Sequence, residues 1–260
     1  MTLDPRPVPA ASWRRWLVEG LALSTRRVGA FVATGALFVA LHGLAARVGL
    51  GVALVPLGLA AGCLVAECAD HGRGVIATLR GKPPRVLGRL LLAGLVLAAG
   101  FWLAGAFVVA LAVTAGLEPG ALAPLLGGAV GGGGEGGGVG APRALAATLS
   151  AAWFLSVAAA LFGASVAIGF LVPLLALAEA PFREALVLSL RATARNPFAM
   201  VFVMALSLSA LIGLVTPYLV VPWTAVVAAT LYAAYRDVFL GREENVPLRA
   251  GATRRSLATG

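Results

Sequence analysis

Charge is what this sequence has least of. Asp, Glu, Lys and Arg make up 12% of its 260 residues, about half the roughly 25% of an ordinary soluble domain. A chain so poor in charge cannot cover a water-soluble globule with polar side chains, so lipid is its natural solvent. Lysine occurs once, at Lys82. Cysteine occurs twice, at Cys63 and Cys68, five residues apart in one apolar run. That spacing puts the two thiols on different helix faces, and the lack of a second pair excludes a zinc site; both read as small core residues. The first 27 residues are polar and contain tryptophan, with no apolar stretch ending in a cleavage site, so no cleavable signal is expected. No Ser-His-Asp set, metalloprotease motif or nucleotide motif occurs, and neither an enzymatic activity nor a cofactor is expected.

What is abundant is apolar: 60% of the residues are hydrophobic, in long runs rather than amphipathic periods. A span needs ~20 apolar residues to cross ~30 Å of hydrocarbon. Six runs qualify, at 28–47, 50–68, 90–115, 148–172, 198–215 and 218–235. The expected fold is therefore all-α, a polytopic transmembrane helical bundle of about six spans within a single domain over 1–240. Pro173 is expected to kink or end the fourth span, since it lacks an N–H and clashes with the preceding turn. The last two spans form a hairpin, because as one helix 198–235 would be ~57 Å long.

Basic residues test this segmentation independently. Arg6, Arg14, Arg15, Arg26 and Arg27 precede the first span; Arg73, Arg80, Lys82, Arg85 and Arg89 follow the second. Arg183, Arg191 and Arg195 follow the fourth, and Arg236, Arg242, Arg249, Arg254 and Arg255 follow the sixth. Thus 18 of the 20 basic residues fall on one side, and only Arg47 and Arg143 on the other. The pattern predicts a bacterial inner-membrane protein with both termini in the cytoplasm. Trp153, Tyr218 and Trp223 then fall near outer helix ends, and Tyr232 and Tyr235 near the inner end of the last span. Trp102 is the exception, near the middle of the third span.

Three segments are not spans. Residues 11–24 and 181–195 read as amphipathic helices on the cytoplasmic surface. The first has Trp13, Trp16, Leu17 and Gly20 on one face and Arg14 and Arg15 on another; the second sets Leu186 and Leu190 opposite Arg183 and Arg191. Residues 118–146 form a flexible external loop, in which 127–140 holds ten glycines and a single charge, Glu135. No strand precedes those glycines and no Lys-Ser/Thr follows, so they do not make a phosphate cradle. Residues 241–260 read as a disordered cytoplasmic tail.

The chain also repeats itself. Glu19-Gly-Leu-Ala-Leu-Ser-Thr-Arg26 aligns with Glu184-Ala-Leu-Val-Leu-Ser-Leu-Arg191, with five of eight positions identical. Each copy precedes two apolar runs that end in an aspartate, Asp70 or Asp237, followed by Gly-Arg. The expectation is a parallel repeat of one surface helix and one transmembrane hairpin. The aspartate closing each hairpin would pair with Arg26 or Arg191 and staple the surface helix to the second span.

At this point a resemblance emerges. Val8-Pro9-Ala10 with Trp13, Trp16, Glu19-Gly20, Leu23 and Arg26-Arg27 resembles the N-terminus of an uncharacterised family of proteobacterial multi-pass membrane proteins. The likeness returns in the Ala-Leu-x-x-Ser-x-x-Ala-x-x-Arg-Asn pattern ending at Asn196, and in Tyr232-Ala-Ala-Tyr235-Arg236-Asp237-Val238-Phe239. The glycine-rich loop departs from the short connection of that family. More distantly the pattern is similar to the membrane domain attached to some glycerophosphodiester phosphodiesterases, without the hydrolase. The resemblance implies a membrane location and no activity.

Among single positions, His42 is the ionisable side chain well within a span, where a proton relay is the sharp reading and a neutral histidine bonded to a neighbouring helix the favoured one. Glu67, Asp70 and His71 share one face at the inner end of the second span; a divalent metal is the sharp reading there, a solvated helix end the favoured one. Gly58 and Gly62, Gly100 and Ala104, and Ala159 and Gly163 are small-residue pairs suited to close helix packing. The partners implied are the bilayer, anionic lipid headgroups and other membrane proteins, with no nucleic acid. Two functions compete: a non-enzymatic structural or assembly component of the envelope, and a small transporter or permease built on the repeat. Pro56 and Pro173 could supply the broken helices of a transporter, but polar lining is poor.

Overall fold

In lipid every backbone polar group needs an internal partner, and a helix supplies these within one segment. The computed structural model describes residues 3–114, 169–197, 201, 205 and 217–241, and forms no strand among them. The elements are α1 (Ser12–Arg26), α2 (Val28–Ala46), a 3-10 turn (Gly51–Leu54), α3 (Val55–His71), α4 (Val75–Gly81), α5 (Pro84–Thr114), α6 (Leu171–Ala176), α7 (Phe182–Arg195) and α8 (Pro217–Tyr235). A π-helical turn, Arg236–Leu240, closes the described part.

Segments 28–45 and 51–71 are long and apolar enough to cross a membrane, and 75–81 with 84–100 makes a third if that pair, bent by 90°, is one span. The side chains of α2 and α5 bear this out: Val28, Leu37, Leu44, Leu95 and Leu103 are all more than half exposed. So much uncovered apolar surface is a liability in water and ordinary in lipid. The runs at 148–172 and 198–215, the loop 118–146 and the tail beyond Gly241 lie mostly or wholly outside the described residues.

The first two expected spans coincide with α2 and the 3-10 turn plus α3. Pro56 does not break a helix; it lies in the first turn of α3, where its missing N–H would have had no partner. Gly72 ends α3 at φ 68°, a left-handed conformation open to glycine, and Arg73 N–H donates back to Cys68 O at 3.0 Å. The third helix starts earlier than expected, at Pro84. Trp102, expected near the middle of the third span, is 60% exposed. Its ring lies against Gly49, in the turn between α2 and α3. Pro173 falls within the first turn of α6, which is buried along its whole length.

The two helices expected on the cytoplasmic surface each pack one face on protein. In α1 the buried face is Ser12, Trp16, Gly20 and Leu23, and it runs along α8. Trp13 and Leu17, expected on the same face, are only partly covered. A Cβ on Gly20 would stand 2.7 Å from Thr230 N and 2.8 Å from Thr230 Cα, so backbone meets backbone here. In α7 the buried residues are Ala185, Leu188, Ser189 and Ala192; Leu190, expected to face the apolar side, is 46% exposed.

The contacts fix helix directions. Cys63 meets Ala228 O at 3.5 Å and, further along both helices, Asp70 meets Tyr232 and Arg236. Thus α3 and α8 run parallel. Gly20 opposes Thr230 while Gly35 opposes Val221, so α1 and α2 run antiparallel to α8. The α3–α8 seam is closed by small residues: Ala60, Gly62, Cys63 and Ala66 against Ala225, Ala228 and Ala229, all buried.

The N-terminal arm, residues 3–11, crosses one end of the bundle. Arg6 N donates to Val238 O at 2.9 Å, Val8 N to Asn196 Oδ1 at 2.7 Å, and Asn196 Nδ2 to Arg6 O at 3.0 Å. Asn196 is itself 3% exposed. Replacing it with alanine leaves the Val8 donor and the Arg6 acceptor unpaired, a cost of about 1–3 kcal/mol. Limited proteolysis should show the first ten residues of Asn196→Ala cleaved well before those of the parent; an unchanged cleavage rate would mean the arm is held by something else.

Candidate functional site

The polar chemistry collects at the end of the bundle that the arm crosses. Asp70, in the last turn of α3, accepts from Tyr232 Oη at 2.9 Å and from Arg236 at 2.7 Å through the same oxygen, Oδ2. Arg236 uses its other terminal nitrogen on Glu19 Oε2, also at 2.7 Å. Arg15 pairs with Asp237 and approaches Glu19 at 3.8 Å. Trp16 Nε1 donates to Asp237 Oδ2 at 2.9 Å. Helix α1 supplies Arg15, Trp16 and Glu19, α3 supplies Asp70, and α8 with its π turn supplies Tyr232, Arg236 and Asp237. The π turn lets the consecutive Arg236 and Asp237 serve different partners, Arg236 bridging α1 to α3 and Asp237 holding α1.

These five charges comprise three acids and two bases. Arg236 is 16% exposed, against 18% for Asp70 and 33% for Glu19. Burial works against its charge, but the Asp70 hydrogen bond and the Asp70 and Glu19 carboxylates outweigh it, and the guanidinium is held above its ordinary value. Glu67, one turn before Asp70, adds a further carboxylate whose Oε2 is buried without a hydrogen bond among the described residues.

Several expected positions are drawn together here and others are not. Glu19, Asp70 and Asp237 belong to the cluster. Arg26 and Arg191 are exposed and make no ion pair among the described residues, so the expected staple is corrected: Asp237 is held by Arg15 and Trp16, and Asp70 by Arg236 and Tyr232. The reason is geometric, since Trp16 and Leu23 turn towards α8 and leave Arg26 beyond the contact. Glu67, Asp70 and His71 do not converge; the His71 ring turns back to within 3.0 Å of the Glu67 carbonyl, and no metal-holding group of three exists among the described residues. Among the described residues His42 Nδ1 is buried without a hydrogen bond, and its ring lies 5.5 Å from that of Phe38. Glu184 lies on α7, away from the cluster. Tyr232 and Tyr235 are 2% and 4% exposed, core residues rather than boundary ones.

Arg15, Trp16, Tyr232, Arg236 and Asn196 were not singled out as a site by sequence. The Tyr-x-x-x-Arg-Asp run at 232–237 is the signal that could have found them, because it places three hydrogen-bonding groups at the end of an apolar helix. Chemically the cluster can hold three helix ends together through paired donors and acceptors, and beside it Glu67 Oε2 is buried without a hydrogen bond among the described residues. Neither a protein-family model nor a curated protein nor a solved structure matches this chain.

Proposed function

We propose that the chain is an integral inner-membrane protein of six spans, with both termini in the cytoplasm, acting as a non-enzymatic structural or assembly component of the envelope. One observation carries the topology. Segments far apart in sequence, each assigned to the cytoplasm by its arginines, meet at one end of the bundle. The arm bonds to Asn196 and Val238, Arg15 to Asp237, Lys82 to Glu179 at 3.4 Å, and Arg89 to the Ala180 carbonyl at 3.0 Å. Reporter fusions after residues 80, 190 and 255 should therefore read as cytoplasmic and a fusion after 130 as external. An external C-terminus sinks the six-span reading.

The tight α3–α8 seam favours a structural role over transport, which needs polar groups or broken helices near the midplane. Cys63, at that seam, offers a direct check. In a Cys68→Ala background in native membranes, a membrane-impermeant thiol reagent should leave Cys63 unlabelled from either side and label it after denaturation. Labelling in the native membrane would favour a water-filled path and the transporter reading.

The parallel repeat supports the same architecture in a shifted register. Both surface helices end at residues of nearly equal backbone conformation, Arg27 at φ −138°, ψ 49° and Asn196 at φ −130°, ψ 50°. Glycines of positive φ, Gly72 and Gly241, follow these breaks at the same interval. This register pairs Trp16, Gly20 and Leu23 with Ala185, Ser189 and Ala192, all buried. It departs from the Glu19–Glu184 alignment by about one helical turn.

A further inference from the structure

Apart from the charge cluster, a groove of about 620 Å³ opens between the N-terminal arm and α7. Its walls include the apolar side chains of Leu3 and Val187, the guanidinium-bearing Arg183 and Arg191, and the carboxylates of Asp4 and Glu184. Asp4 is already engaged by Arg195 at 3.0 Å. Arg183, Arg191 and Glu184 are exposed and form no ion pair among the described residues. The groove therefore presents two unpaired cations against one unpaired anion, a net charge of about one positive unit, beside an apolar wall. Next to it, Val187 and Leu190 are 40% and 46% exposed, extending the apolar surface outwards.

We propose that this groove binds one anionic glycerophospholipid carrying a single phosphate. The phosphate diester lies between Arg183 and Arg191, to which guanidinium donors are well matched. An acyl chain follows Val187 and Leu190, and Glu184 accepts hydrogen bonds from hydroxyls of the headgroup. A lipid of net charge −1 complements the net positive charge of the groove, which a net-neutral zwitterionic lipid does not. The inference deepens the membrane reading above, turning general attraction to anionic headgroups into a site on one helix, and it rests on that reading.

The test is native mass spectrometry of the full chain in neutral detergent, titrated with phosphatidylglycerol, phosphatidylethanolamine or inorganic phosphate. The parent should hold one phosphatidylglycerol preferentially. Arg183→Gln with Arg191→Gln should lower its retention by about thirty-fold, given what each basic residue near a membrane surface contributes. Arg183→Lys with Arg191→Lys should retain most of it, which separates lost charge from a lost fold. Arg73→Gln with Arg80→Gln removes equal charge elsewhere on the same face and should change little. Equal losses in both glutamine pairs would overturn the site while leaving the anionic-surface reading standing. Equal retention of phosphatidylethanolamine, or displacement of lipid by millimolar inorganic phosphate, would also overturn it. Failure of the membrane reading itself would be seen separately, in the reporter fusions.

Discussion

Replacing Trp16 with alanine is expected to cost about 3–5 kcal/mol, the usual range for removing a fully buried indole. Trp16 is 0% exposed, and it joins α1 to α8 twice, through its ring and through Nε1 on Asp237. Its loss opens a cavity and leaves Asp237 to Arg15 alone. The adjacent Gly20 contact allows no compensating collapse, because the α1 and α8 backbones already touch there. Trp16→Phe should cost less, about 1–2 kcal/mol, since it keeps most of the packing and loses only the donor. The chain carries its own reporter: Cys63 and Cys68 are free and buried, so a thiol-reactive dye follows unfolding in detergent. A midpoint for Trp16→Ala close to that of the parent would mean that α1 is held by lipid and not by α8.

The second large effect is at Arg236. Its guanidinium reaches carboxylates of two other helices, Glu19 and Asp70. Arg236→Leu leaves Glu19, Asp70 and Asp237 gathered around Arg15, with Asp70 still hydrogen-bonded by Tyr232. Breaking a buried pair from one side costs about 3–5 kcal/mol; partial exposure of Glu19 brings the expectation here to about 2–4 kcal/mol, allowing for solvent screening. Arg236→Lys should recover only part of this, because an ammonium cannot address both carboxylates through a planar fork. The same dye assay reads both variants. A leucine variant as stable as the parent would show that the cluster is a surface decoration.

The helices at 28–46 and 55–71 were legible because apolar runs of that length have one stable solution in lipid. The surface helices were legible as helices, but not the protein packing of one face of each. Amphipathic period tells which face of α1 is apolar, and tryptophan with arginine suggests lipid, but a protein surface offers the same apolar face a home. Gly20 was the overlooked clue, since a glycine inside a helix of this kind costs stability unless something approaches closely. The proposed repeat shows another limit. Four residues make little more than one turn, so sliding α7 by that amount against α1 keeps the apolar face in place, and pattern alone cannot choose the register. The similar backbone breaks at Arg27 and Asn196 are what favour the shifted register proposed above. The charge cluster was half visible: Glu19, Asp70 and Asp237 stood out as acids at helix ends. Their partners could not be assigned, because ion pairing across 217 residues, as between Glu19 and Arg236, depends on packing that no local spacing records.

The central claim is that Asp70 at the end of α3 and Arg236 after α8 are joined, fixing two parallel helices at one end of the bundle. A double-mutant cycle tests it most directly, with Asp70→Asn, Arg236→Gln and the pair compared by dye-monitored unfolding. Residues in one ion-pair network couple by about 0.5–3 kcal/mol, whereas distant sites add. The expected result is that the double variant is less destabilised than the sum of the singles by at least about 1 kcal/mol. Additive losses would contradict the account.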